Sequence, residues 1–66
     1  MSTRTQNEQI LAHLKRATIT PLEALKLYGC FRLGARVWDL KQEGHVIRSR
    51  IVKISGKRVA QYLLVH

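Results

Sequence analysis

Acidic residues, cysteine, aromatics and long apolar runs are all scarce in this chain, and each scarcity excludes a class of protein. Only four residues are Asp or Glu, and no two of them are spaced as a general acid–base pair. No nucleophile with a base and no phosphate-cradling glycine loop is present either, so an enzyme is not expected. The single cysteine, Cys30, rules out an internal disulfide and points to a reducing cytoplasm. Cys30 reads as a small buried hydrophobe. His13, His45 and His66 are scattered without ligand spacing, so neither a metal nor another cofactor is expected. Four aromatics (one Phe, one Trp, two Tyr) offer no stacking platform for single-stranded RNA. No apolar run approaches 18 residues and the N-terminus MSTRTQNEQ is polar, so neither a membrane span nor a signal peptide is expected.

What the chain does have is positive charge. Twelve Lys and Arg leave a net +8 in 66 residues, which calls for an anionic partner. The charge is uneven. Residues 1–29 hold Arg4, Lys15, Arg16 and Lys26 against Glu8 and Glu23, a net of +2. Residues 30–66 hold eight basic residues against Asp39 and Glu43, a net of +6. An apolar content of 45% is too high for a disordered basic tail. A chain this short buries about 60% of its unfolded surface, enough for one modest core and no deep cofactor pocket.

The pattern predicts one domain over 1–66: residues 1–4 frayed, a three-helix part over 5–44 and a hairpin over 45–66. Thr5 and Glu8 read as a capping box before a first helix at about 6–16, with Ile10, Leu11 and Leu14 at helical spacing. The β-favouring triplet around Ile19 is long enough for a very short strand. Thr20, Pro21 and Glu23 then form a second start signal, for a helix at about 21–27. Gly29 supplies the left-handed turn residue. A third helix is expected over about 31–43, stopped by Gly44. From Val46 the period changes, and Ser55-Gly56 divides two strands rich in β-branched residues.

Two helices joined by a short glycine turn, the second long and basic, describe a helix-turn-helix, and a following hairpin describes a wing. The expected fold class is therefore α+β, a winged helix-turn-helix. Residues 5–47, with "ITPLEAL" and "RLGARVWDL" as their most specific segments, and "GKRVAQYLL" at 56–64 resemble a family of small helix-turn-helix domains frequent in bacteriophage and prophage genomes. The resemblance covers nearly the whole chain and implies a DNA-binding winged helix fold.

On a helical wheel, Leu33, Val37 and Leu40 form the core stripe of the third helix. Phe31, Arg32, Ala35, Trp38, Asp39 and Gln42 lie opposite, with Arg36 on a flank. Arg32 and Gln42 are the expected base readers, since arginine forks onto guanine and glutamine onto adenine. Small Ala35 and Gly34 allow close approach, and Arg36 either reads a base, clamps a phosphate or pairs with Asp39. Thr20, Lys41, Arg48, Arg50, Lys53, Lys57 and Arg58 are expected on phosphates or in the wing, with Lys57 and Arg58 at the tip. Ser2, Thr3 and Arg4 could form an arm. Phe31 is expected beside Tyr28 in the core, and Trp38 over the core edge under the wing. Both are also candidates for a protein interface. Alternation of Ile47 and Ile51 with Arg48 and Arg50 predicts one buried and one basic face, and Val59, Tyr62 and Leu63 or Leu64 are expected to pack on the helices.

The reading this supports is a sequence-specific binder of double-stranded DNA, a phage or prophage transcriptional regulator in the bacterial cytoplasm, acting as a homodimer or cooperative array. The alternatives are an excisionase-like factor that bends DNA, and a protein-binding inhibitor of a host enzyme such as RNA polymerase.

Overall fold

The computed structural model describes residues 3–65. Helices α1 (Thr3–Leu14), α2 (Pro21–Tyr28) and α3 (Leu33–Gln42) precede an antiparallel hairpin of β1 (Ile47–Ile54) and β2 (Lys57–Leu64). This is the expected α+β order. Helix α1 begins earlier than its sequence pattern predicts, so Thr5 lies inside it. Glu8 pairs with Arg4 one turn away at 3.3 Å. Met1, Ser2 and His66 lie outside the described residues. Of the expected frayed arm, Thr3 and Arg4 are helical.

The start of α2 follows its sequence signals closely. The Glu23 amide donates to Thr20 Oγ1 at 3.4 Å, and the Thr20 amide donates to Glu23 Oε1 at 3.1 Å. Two orphan donors are thus satisfied reciprocally. Gly29 ends the helix at φ 63°, a left-handed conformation in which a Cβ is strained, and the Cys30 amide closes onto the Ala24 carbonyl at 3.2 Å. Helix α3 starts at Leu33, two residues later than the wheel assumed, with Arg32 as N-cap.

One cluster holds the fold together. Ile10 and Leu14 of α1, Ile19, Ala24 of α2, Cys30, Leu33, Val37 and Leu40 of α3, and Ile47 at the hairpin root are all buried. Leu11, Tyr28, Tyr62 and Leu64 pack around them. His13 is also buried, its Nδ1 2.8 Å from the Tyr28 hydroxyl and its Nε2 2.9 Å from the Thr18 carbonyl. A carbonyl only accepts, so in the neutral imidazole Nε2 donates to Thr18 and Nδ1 accepts from Tyr28.

The short strand around Ile19 is a single bridge. The Ile19 amide donates to the Tyr62 carbonyl at 3.0 Å and the Tyr62 amide to the Ile19 carbonyl at 2.8 Å. This bridge ties β2 to the helices. Pairing of Ile47 with Leu64 and Ser49 with Tyr62 puts these residues, with Ile51, Lys53, Arg58 and Ala60, on the helix-facing side of the hairpin. Val59 therefore points to the far side, contrary to expectation, opposite Val52. Ile51 shares the inner face but is 67% exposed, because the helical body ends beneath it. The two-residue turn has Ser55 at φ 51° and Gly56 at φ 78°, both positive as a tight hairpin turn requires.

Candidate nucleic-acid interface

Helix α3 has two unlike flanks. Toward α1, the Arg36 guanidinium meets Asp39 Oδ2 at 3.3 Å, and the Asn7 side-chain amide of α1 donates to the same carboxylate oxygen at 3.4 Å. The two charged side chains are only 19% and 28% exposed. Arg36 Nε is buried without a hydrogen-bond partner. Asp39 thus competes for Arg36 with any base edge, and Arg36 serves the α1–α3 seam. The adjoining groove, of about 510 Å³, is lined by Arg4, Asn7, Glu8, Leu11, Leu40 and Glu43. Three of the four acidic residues, Glu8, Asp39 and Glu43, therefore gather on this side, and the fourth, Glu23, is held in the α2 cap.

The other flank faces outward and carries no acid. Gly34, Trp38, Lys41 and Gln42 are exposed there and Ala35 is half-buried, whereas exposed Arg32 borders a hollow shared with Gln6 of α1, Phe31 and Arg36. A Cβ on Gly34 would sit 3.8 Å from the Tyr62 hydroxyl, which places this side of α3 next to β2. Trp38 follows one turn later and is 60% exposed, so it does not cover the core edge under the wing. Phe31 is 86% exposed rather than wedged beside Tyr28, because the chain enters α3 only at Leu33 and Cys30 takes the buried place. Thr20, a phosphate candidate in the sequence, is buried, and its hydroxyl donates to Glu23 Oε1 at 3.2 Å.

The hairpin adds five exposed cations and no acid. Arg48, Arg50 and Lys57 lie on the far face, Lys53 and Arg58 on the helix-facing one, so both faces of the outer hairpin are basic. Arg50 Nε donates to Gln61 Oε1 across the strands at 2.8 Å, which orients the guanidinium. Sequence reading missed Gln61 and Asn7. Gln61 becomes legible once the turn at Ser55-Gly56 fixes the register, whereas nothing local connects Asn7 to Asp39.

Three helices, a glycine turn between the second and third, and a basic hairpin tied back to Ile19 define a winged helix-turn-helix. Residues 5–66 match the family model described as a winged helix-turn-helix domain, and the chain belongs to that family. Membership suggests DNA binding, and such families are typically non-enzymatic. No curated protein and no solved structure matches the chain. No helix among the described residues is long and apolar enough to cross a membrane.

Proposed function

We propose that this protein binds double-stranded DNA in a sequence-dependent manner and regulates transcription in a phage or prophage setting, in a bacterial cytoplasm. The observation that carries the reading is the segregation of charge: the Asp and Glu side chains lie in the α2 cap or along the α1–α3 groove, while the outward flank and the hairpin are free of acid. Helix α3 enters the major groove with Arg32 and Gln42 against base edges and Ala35 allowing close approach. Lys41, Arg48, Arg50, Lys53, Lys57 and Arg58 meet phosphates. Cations on both faces of the outer hairpin suit insertion between two phosphate strands, as in a minor groove. Arg36 positions α3 against α1 instead of reading a base. One module covers few base pairs, so useful specificity requires a dimer, arrayed sites or a partner protein.

The test is a titration of random double-stranded DNA at several salt concentrations. If the five hairpin cations each neutralise one phosphate, the slope of log affinity against log salt is about −4.5 from these residues alone. A folded sample that leaves DNA unshifted at low salt would contradict the reading. It would favour the second one, docking of Phe31 and Trp38 on a host protein, which their exposure of 86% and 60% supports.

A further inference from the structure

We infer that α3 reads thymine through its 5-methyl group, with Trp38 as the contact. The inference rests on the DNA-binding reading and deepens it. Of the base readers the sequence offered, Arg36 is engaged by Asp39 at 3.3 Å. That leaves Arg32 and Gln42, about 15 Å apart along the helix axis at 1.5 Å per residue. The outward surface between them consists of exposed Gly34, half-buried Ala35 and the indole of Trp38, with Lys41 at its edge. It holds no hydrogen-bonding fork. The thymine methyl is the one apolar group that base pairs present in the major groove, and apolar side chains are what recognise it.

Two further observations favour this occupant over a second protein. The apolar patch is bordered by Lys41 on α3, and Lys53 and Arg58 extend the positive charge along the helix-facing side of the hairpin, while the carboxylates lie along the α1–α3 groove or in the α2 cap. Such a rim complements phosphate. Gly34 also leaves the helix backbone uncovered one turn before Trp38, and its neighbour on the wing side is the Tyr62 hydroxyl. A flat indole there can slide along the groove wall and meet a methyl edge-on.

Replacing thymine by uracil removes that methyl and leaves every Watson–Crick hydrogen bond intact. The experiment compares alternating dA–dT and dA–dU duplexes of equal length, and alternating dG–dC duplexes with and without 5-methylcytosine, at one low salt concentration. Wild type is expected to lose about fourfold in affinity per contacted methyl on going from thymine to uracil, and to gain on cytosine methylation. Trp38→Ala should equalise the dA–dT and dA–dU affinities. Equal affinity of wild type for thymine and uracil duplexes overturns the inference while leaving DNA binding intact. A Trp38→Ala variant that keeps the thymine preference, or weakens both duplexes equally, overturns the assignment to Trp38. Absence of binding to all four duplexes sinks the DNA reading itself. Should Trp38→Ala fail to fold, the wild-type thymine-to-uracil ratio still decides whether the methyl is read.

Discussion

The three-helix body and the hairpin solve opposite problems. Eight of the nine buried apolar residues come from the stretch before residue 45, and the hairpin contributes only Ile47 at its root. Beyond that root every described residue of the hairpin is exposed or half-buried. Conversely, the hairpin has five cations and no acid, while the body holds all four carboxylates. The body supplies stability and the hairpin supplies charge. A domain this small, with about 3–10 kcal/mol of total stability at the usual per-residue value, has little margin for placing both demands on the same residues.

Core truncation should break the contrast most severely. Leu40→Ala or Ile10→Ala removes a fully buried side chain and is expected to cost about 2–5 kcal/mol, a large part of the total, read from a denaturant midpoint. Ile51→Ala, at a position 67% exposed, should move that midpoint by less than about 0.5 kcal/mol. Next comes Tyr28→Phe. It leaves His13 Nδ1 without the hydroxyl it meets at 2.8 Å, at about 1–3 kcal/mol for a buried unpaired group. Thr20→Ala should cost about 1 kcal/mol through loss of the α2 cap. Its effect on DNA affinity in folded protein should be negligible, since the hydroxyl is already committed to Glu23.

Two arginines at the start of α3, one ion-paired and one exposed, separate stability from binding. Arg36→Ala should lower stability by about 1 kcal/mol or less, the scale of a modest ion pair. Arg32→Ala should leave stability unchanged and weaken DNA binding, in paired melts and titrations. The smallest stability effect belongs to Lys57→Gln with Arg58→Gln at the hairpin tip. There the melting temperature should hold while the salt slope falls by about 1.8, for two phosphates lost.

Much of this architecture is legible in local sequence signals. Thr20, Pro21 and Glu23 announce α2, Gly29 announces its end, and Ser55-Gly56 sets the hairpin register, because capping and turn chemistry act within a few residues. The spacing of Arg36 and Asp39 shows that they can pair. It does not show that Asn7 arrives from α1 to hold the same carboxylate. His13 and Tyr28 meet across two helices, fifteen residues apart in the chain, and no periodicity marks that contact. The wheel puts Phe31 opposite the core stripe, but a core place beside Tyr28 fails because Cys30 takes the buried position before α3 starts at Leu33. Val59 and Ile51 fail for a related reason. Alternation groups residues by face, but the Ile19–Tyr62 bridge decides which face is inner, and the extent of the body decides how far burial reaches. Of the proposed interface, the cations are visible in the composition of residues 30–66. The withdrawal of the carboxylates to the α1-facing side emerges only in three dimensions.

Backbone amide chemical-shift mapping by NMR on double-stranded DNA tests most directly which surface of the protein meets DNA. The expected result is that the largest shifts fall on residues 32–42 and 48–58, with 8–14 of α1 nearly still. Shifts concentrated on exposed Leu22, Leu25 and Leu27 of α2, or no shifts at low salt, would contradict it.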